Sequence, residues 1–175
     1  MNRYLIILIF IAVSAGGCKK KDNPRLSGTD TIDNNLYGAG PYYAYGFSFS
    51  RAEKVSTLDD PGPDITLVAF DINGIVTKIQ TDNFQSSFYK ESEYPDASSA
   101  EQAFDNLTSP IVSQWVEEAD AIGANQIWIF RTSNEKYAKF RIIETFSEMR
   151  SGWAYAECTF EWVYQPDGSL TFPVK

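Results

Sequence analysis

The residue types that usually carry out catalysis are scarce in this chain. No histidine occurs among its 175 residues, so the commonest general base and the commonest metal ligand are both missing. Two cysteines cannot build a zinc cluster, and neither a glycine-rich phosphate loop nor a Gly-x-Ser-x-Gly motif is present. We therefore predict a protein that is not an enzyme. The 23 acidic residues leave a hydrolase built on two carboxylates as an open alternative.

Cys18 is a candidate for covalent chemistry of a different kind. Arg3 is followed by an apolar run over residues 5–13 and then by small residues up to Cys18, which is the pattern of a secretory signal peptide. The run is too short to cross a bilayer core of roughly 30 Å as a helix. The Ala-Gly-Gly-Cys ending resembles the lipobox of bacterial lipoproteins, in which the cysteine receives a lipid. We predict a signal peptide over residues 1–17 and a lipid anchor at Cys18.

The residues that follow Cys18 differ in composition from the rest of the chain. Residues 18–41 are rich in Asp, Asn, Gly, Ser and Thr, which predicts a flexible tether ahead of one domain over residues 42–175. From residue 22 onward, 11 basic residues stand against 23 acidic ones, a net charge of −12, which argues against nucleic acid as a partner. The lysines after Cys18 resemble those of lipoproteins in the Gram-negative outer membrane. We expect anchoring there and leave open whether the domain faces the periplasm or the cell exterior.

Period-two patterns predict a mainly β domain built from antiparallel sheets. Residues 42–50 carry an aromatic side chain at every odd position, which predicts a strand with one buried face. Residues 65–72 and 75–80 flank Asn73-Gly74, and this dipeptide is typical of a hairpin turn. Further strands are predicted over residues 126–130, 137–146 and 153–164.

One or two helices are expected between these strands. Ser98 and Ser99 precede a first helical segment and are candidate caps. Ser109-Pro110 is a typical start for a second helix, and apolar residues then recur at helical spacing. These residues are Ile111, Trp115, Ala119 and Ile122.

The last two long strands alternate charged and apolar residues. Lys139 and Arg141 share a face of one strand, and Glu157 and Glu161 share a face of the next. This pattern predicts a cross-strand charge ladder worth about a few tenths of a kcal/mol per pair. Cys158 falls on the opposite, apolar face, so we expect a buried, unreactive thiol.

Aromatic residues make up 15% of the chain and suit a flat apolar or sugar-binding pocket as well as a core. Tyr155 falls off the inward-facing positions of its strand, and Tyr94 lies in a predicted loop. Both are therefore candidate ligand-binding residues.

Three segments near the C-terminus carry a family resemblance. Residues 126–131, 136–142 and 159–168 are similar to the C-terminal part of HmuY-like lipoproteins, including the closing Gln-Pro-Asp-Gly turn. The resemblance implies an HmuY-like, mainly β domain on the outer membrane or cell surface. It also implies that the protein takes haem from host haemoproteins and passes it to an outer-membrane receptor.

The resemblance further implies two axial side chains on the haem iron, histidines in some members and methionines in others. This chain departs from that pattern, because it has no histidine and Met149 is the single methionine beyond residue 17. We predict Met149 as an iron ligand in a loop between the last two long strands, with Arg150 paired to a haem propionate. Tyrosine or water could fill the second position, or the chain binds haem poorly or takes another ligand. The alternative function is a surface glycan-binding or adhesion module that uses exposed aromatic residues.

Overall fold

The computed structural model describes residues 25–81 and 85–174. The predicted signal peptide and Cys18 lie outside these ranges, so the lipid anchor stays a prediction. Within the described ranges the chain forms ten strands and a single short helix. The paired strands are antiparallel, so the predicted mainly β class is confirmed. No helix in the described part of the chain is long and apolar enough to span a membrane.

A five-stranded sheet forms the centre of the fold, with strand order β1-β10-β9-β8-β6. The strands are β1 (Ser27–Asp33), β6 (Phe88–Glu93), β8 (Gln126–Arg131), β9 (Tyr137–Arg150) and β10 (Trp153–Gln165). The last two form a long hairpin that turns at Ser151 and Gly152, whose φ angles are 49° and 86°. Glycine adopts positive φ at little cost, so Gly152 suits this tight turn.

A second β layer packs on one face of the central sheet. Its strands are β2 (Tyr45–Ser48), β3 (Glu53–Ser56), β4 (Thr66–Asp71), β5 (Ile75–Gln80) and β7 (Glu118–Ala119). The predicted β4–β5 hairpin is confirmed, with Thr66 opposite Gln80 and Asp71 opposite Ile75. Asn73 and Gly74 take the positive φ angles of 59° and 123° that this turn requires.

The core between the two layers is mostly aromatic. The ring of Phe47 lies 5.4 Å from that of Phe160 and 5.2 Å from that of Trp162, and all three side chains are fully buried. The inward face predicted for the last long strand is confirmed in β10. The buried residues on this face of β10 are Ala156, Cys158, Phe160, Trp162 and Tyr164. Burial raises the pKa of the Cys158 thiol to about 12, so this thiol is unreactive in the folded protein.

The single helix, α1 (Ala97–Asn106), contributes Phe104 to a second apolar cluster with Ile127, Ile129 and Val163. These strand residues alternate with those of the first core, so this cluster lies on the opposite face of the central sheet. The fully buried Lys139 holds the end of the helix, because its Nζ donates to the backbone oxygens of Phe104 and Leu107 at 2.6 Å and 2.9 Å.

Asp96 caps the start of this helix. Its carboxylate accepts a hydrogen bond from the Ser99 backbone N–H at 2.9 Å and another from the Ser99 hydroxyl at 2.8 Å. The prediction that Ser98 and Ser99 supply the cap is therefore wrong. Asp96 has the extended backbone of a capping residue, which places its carboxylate over the orphan N–H groups of the first turn.

The prediction of a second helix from Ser109-Pro110 is wrong. Val116 instead exchanges backbone hydrogen bonds with Phe88, and Ala119 lies in β7 opposite Ile79. The side chain of Ile111 is 86% exposed. The helical spacing of apolar residues here is incidental, because the backbone satisfies its donors and acceptors at sheet edges rather than within a helix.

The predicted flexible tether over residues 18–41 is wrong for its described part, and the ordered domain begins before residue 42. Ser27–Asp33 forms edge strand β1 and pairs with β10 along its whole length. The sequence of β1 resembles that of a flexible tether because Ile32 is its only fully buried residue. Polar contacts hold the rest: Thr31 and Thr159 share a hydrogen bond of 2.8 Å, and Trp162 Nε1 donates to Asp30 at 2.9 Å.

Half of the predicted charge ladder is present. Arg141 lies opposite Glu161, and their side chains form an ion pair of 2.7 Å that is more than nine-tenths buried. Lys139, however, lies opposite Val163 and binds helix carbonyls, and Glu157 lies opposite Phe146. The strands run antiparallel, so pairing of Glu161 with Arg141 places Glu157 four residues further from Lys139, and even without the register shift between Thr159 and Phe160 it would lie opposite Thr145.

Candidate functional site

A groove opens beside the turn of the β9–β10 hairpin and encloses a cavity of about 660 Å³. This volume falls within the range of roughly 300–1,000 Å³ that is typical of small-molecule pockets. The hairpin supplies one wall and β4 supplies a second, and two loops near residues 34–36 and 42–44 together with Thr57 and Gln80 complete it. Residues from six separate stretches of sequence therefore meet here.

Arg150 provides the positive charge of the groove. Its guanidinium carbon lies 3.2 Å from the centre of the Tyr155 ring, and its Nε donates to Glu148 at 2.5 Å. The hydrogen bond to Glu148 raises the pKa of Arg150 above its already high ordinary value, so the side chain stays charged. Stacking on a ring orients the guanidinium and leaves other N–H donors for a ligand.

Tyr155 provides the aromatic ring on which the Arg150 guanidinium stacks. The residue is 6% exposed, and its hydroxyl donates a hydrogen bond to Glu157. Burial, followed by the interaction with Glu157, raises the pKa of Tyr155, so the phenol stays neutral near pH 7. Phe146 packs beside it, with ring centres 6.5 Å apart.

Apolar and aromatic side chains line most of the remaining groove. The wall of β4 contributes Leu67, Val68 and Phe70, and the loops contribute Leu36, Tyr42 and Tyr43. Trp153 stands at the hairpin turn and is 79% exposed, while Tyr42 is 67% exposed. A ligand that covered these rings would remove apolar surface from water, which favours binding.

Three tyrosines form a cluster at one end of the groove. The ring centres of Tyr37, Tyr43 and Tyr45 lie 5.3–5.8 Å from one another in stacked and edge-on arrangements. A hydrogen bond with Tyr43 raises the pKa of Tyr45. Tyr43 and Tyr45 were predicted to face the core with Phe47 and Phe49, but strand β2 begins only at Tyr45, which is 37% exposed. Of the alternating aromatic residues, only Phe47 and Phe49 in the second half of the segment are buried in the core.

The structure brings two of the predicted ligand-binding residues together and leaves two apart. Arg150 and Tyr155 both line the groove. Met149 lies within β9 rather than in a loop, opposite Ala154 and 48% exposed, and it is not part of the groove lining. Tyr94 packs against the second apolar cluster, where its hydroxyl accepts a hydrogen bond from Ser92 at 3.1 Å.

The contribution of β4 to the groove is not among the features predicted from the sequence. Residues 65–72 are apolar on both faces, although only one face of this strand is needed for the core. Val68 and Phe70, which are not fully buried, line the groove instead. A strand that is apolar on both faces without a second covering layer is the signal that could have indicated this surface.

Comparisons with known proteins do not assign the chain to a family. No family model matches the sequence, and no curated protein matches it significantly. Among the described residues, no group of three or more histidine, cysteine, aspartate or glutamate side chains is placed to hold a metal ion.

Proposed function

We propose that this chain is a lipid-anchored binding protein of the bacterial outer membrane, and that the groove beside the β9–β10 turn holds its ligand. The observation that carries the proposal is a mostly apolar cavity of about 660 Å³ in which one guanidinium is held in place by Tyr155. Such an arrangement suits recognition of a small molecule, because apolar area supplies affinity and one placed polar group supplies orientation. Cys18 is the proposed attachment point for the lipid.

The groove indicates the chemistry of the ligand. A flat apolar body suits the rings of Tyr42 and Trp153 and the aliphatic wall of β4. A carboxylate on that body suits Arg150, since guanidinium and carboxylate form paired hydrogen bonds. The proposed ligand class is therefore an aromatic or otherwise flat molecule that carries at least one carboxylate.

Haem is the specific ligand that we propose, because the HmuY-like resemblance points to it and its chemistry fits much of the groove lining. Arg150 would pair with a propionate, and the apolar walls would cover the porphyrin. Met149 does not line the groove, so the iron needs another partner. Tyrosine is an accepted axial ligand of haem iron, and we assign Tyr42 to this position because Tyr43 is engaged with Tyr45.

The proposed partners follow from the proposal that the ligand is haem. A haem-carrying lipoprotein at the outer membrane would receive its cargo from host proteins and deliver it to a receptor in that membrane. The protein would then bind haem and release it without catalysing a reaction. The exposed edge of the groove, where Trp153 and Tyr42 stand, is open to such exchange.

Titration with two porphyrins separates the contributions to binding. Haemin and iron-free protoporphyrin IX carry the same propionates, but only haemin offers an iron. We expect both to bind, and we expect Arg150→Gln to weaken both by about tenfold through loss of the charge-assisted hydrogen bond. Tyr42→Phe should weaken haemin alone and shift its Soret band. Absorbance and tryptophan quenching give the two affinities.

Matched variants control these titrations. Arg51→Gln removes a different partly exposed arginine outside the groove and should leave both affinities unchanged. Met149→Leu should also change neither affinity. A loss of haemin binding in Met149→Leu would show that the iron lies elsewhere. Failure of both porphyrins to bind the unaltered protein at micromolar concentration would refute haem as the ligand.

A glycan-binding or adhesion function is the second candidate, favoured by the exposure of Trp153. Its indole is 79% exposed at the rim of the groove, and a sugar ring can stack on such a surface. Under this alternative, oligosaccharides should change the tryptophan fluorescence of the unaltered protein, and Trp153→Phe should abolish the change. Quenching by haemin that oligosaccharides do not reproduce would decide against it.

A further inference from the structure

The outer half of the β9–β10 hairpin leaves one edge of the central sheet open. Strand β10 pairs with β9 along nearly its whole length, but β8 covers the other edge of β9 only over residues 137–141. The Asn125 backbone N–H adds one hydrogen bond to the Ile142 carbonyl oxygen at 2.9 Å. Beyond that point, no strand in the described part of the chain except β10 lies beside β9. We call residues 143–149 the open edge.

The backbone hydrogen-bonding groups of the open edge point away from the hairpin. The Ala156 N–H donates to Asn34 Oδ1 at 2.8 Å, and the Ala156 carbonyl oxygen accepts from the Asn34 N–H at 3.3 Å, so Ala156 directs these groups toward β1. Ser147 lies opposite Ala156, and in such an antiparallel pair it directs its own N–H and C=O to the other side. By the same alternation, the backbone groups of Thr145 and Met149 also point outward.

The open edge is accessible and has a sequence that favours strands. Six of its seven residues are exposed, and Thr145 is partly exposed. Its isoleucine, threonine and phenylalanine favour strands, and it contains neither proline nor glycine. An unpaired edge of this kind is a template for a strand from another chain, because each added pair of residues forms backbone hydrogen bonds. Seven residues in a strand offer a template about 24 Å long.

The side chains beside this edge indicate the chemistry of the added strand. Glu144, Phe146 and Glu148 share one face of β9, and Glu157 lies opposite Phe146 on β10. Glu144 has no ion-pair partner among the described residues, and Phe146 is 45% exposed between the carboxylates. Glu144, Phe146 and Glu157 also line an open hollow of about 320 Å³. Basic side chains on either side of an apolar one complement this face.

We propose that the open edge binds an extended segment of another protein by strand addition, and that this segment carries basic residues at the second position on either side of an apolar residue. Backbone hydrogen bonds to Thr145, Ser147 and Met149 would supply affinity, and the carboxylates would select the sequence. The inference goes beyond the proposed function, because it assigns a protein-binding edge that shares no residue with the groove lining.

A second copy of this chain is the competing occupant, and charge disfavours it. The net charge of −12 from residue 22 onward makes two copies repel each other. In a symmetric antiparallel pair centred on Phe146, Glu144 of one copy would also lie opposite Glu148 of the other, and like charges in that position oppose pairing.

Fluorescence anisotropy with the full-length chain in a non-ionic detergent tests the proposal. The probe is a fluorescein-labelled peptide with the sequence Thr-Lys-Thr-Leu-Thr-Lys-Thr, and the comparison peptide carries glutamate in place of both lysines. We expect saturable binding of the lysine peptide below about 1 mM. The glutamate peptide should bind at least about tenfold more weakly, since it places like charges opposite one another.

Two variants separate strand addition from general attraction between a basic peptide and an acidic protein. Ser147→Pro removes an N–H that β10 does not use, and edge strands tolerate proline, so the variant should fold but bind the lysine peptide about tenfold more weakly. Ser147→Ala keeps the N–H and should bind like the unaltered protein. Glu144→Lys should reverse the preference between the two peptides. Glu135→Lys makes the same charge change in the exposed turn before β9 and should leave the preference unchanged.

Several outcomes overturn the proposal. Failure of the lysine peptide to bind the unaltered protein up to about 1 mM does so. Unchanged affinity in a folded Ser147→Pro variant does so as well, because the peptide would then contact side chains only. If Ser147→Pro does not fold, an unchanged peptide preference in Glu144→Lys is decisive against strand addition at this edge. A dimer that sediments for the unaltered protein and dissociates in Ser147→Pro would identify a second copy as the occupant instead. Porphyrin binding in the groove does not enter these outcomes.

Discussion

Removal of the carboxylate of Glu161 should destabilise this protein far more than loss of an ordinary surface ion pair. The Arg141 and Glu161 side chains are 8% and 9% exposed, and their charged atoms lie 2.7 Å apart. Arg141 Nε is buried and has no hydrogen-bond partner among the described residues, so the guanidinium relies on Glu161. Breaking such a pair on one side leaves a buried charge without compensation and costs about 3–5 kcal/mol.

Urea denaturation of Glu161→Gln, followed by tryptophan fluorescence, measures this cost. A small domain has a free energy of unfolding of about 5–15 kcal/mol, so the variant should still fold in the absence of urea. We expect a much lower midpoint with an unchanged slope, since the surface exposed on unfolding is the same. Combining the change with Arg141→Met should recover part of the loss, with a coupling free energy above about 1 kcal/mol.

Glu93→Gln provides the matched control. Glu93 pairs with Lys90 at 2.5 Å, a contact as short as the buried one, but both side chains are more than one-third exposed. Water screens this pair, so its loss should change stability only slightly. Equal losses of stability in Glu161→Gln and Glu93→Gln would refute the argument that burial, rather than distance, determines the contribution of the ion pair.

Three further predictions concern the core and the helix. Gly46→Ala should lower stability by about 1–3 kcal/mol in urea denaturation, because an added Cβ would lie 2.2 Å from the Ile65 carbonyl oxygen; an unchanged midpoint would contradict this. Cys158 should resist thiol reagents at mildly alkaline pH until the protein unfolds, since its pKa is raised to about 12; rapid labelling of the folded protein would refute its burial. The Ser99 backbone N–H lowers the pKa of Asp96, so its stabilisation is present above the ordinary pKa of 3.8 and is lost as the pH falls through the lower folded-state value. Asp96→Ala should therefore lower the melting temperature at neutral pH and have little effect in strong acid, and an equal effect at both would contradict the capping role.

Parts of both β layers could be predicted from local pattern. The strand predicted over residues 126–130 follows from a continuous apolar run, the β4–β5 hairpin from two apolar runs around Asn73-Gly74, and the inward face of β10 from period-two alternation. These features depend on neighbouring residues in the chain. The burial of Cys158 belongs with them, because its position in the alternation places it among core residues.

Other parts of the fold could not be predicted from local sequence patterns. The sequence of edge strand β1 resembles a polar linker, because backbone pairing with β10, rather than burial of an apolar face, keeps this strand in the sheet. The segment after Pro110 has helical spacing but forms bridges to sheet edges more than 20 residues away in sequence. Local propensity cannot register a partner that distant, and tertiary pairing overrides it.

The candidate site shows the same division. The available chemistry follows from residue types alone: the chain has no histidine and many aromatic residues, and Arg150 and Tyr155 are candidate ligand-binding residues. Which of these residues meet depends on packing, because the β9–β10 hairpin, β4 and the loops near residues 34–36 and 42–44 converge at the groove and leave Met149 and Tyr94 outside its lining. The sequence specifies the residue types, but the distances between segments far apart in the chain are set only when the sheets pack together.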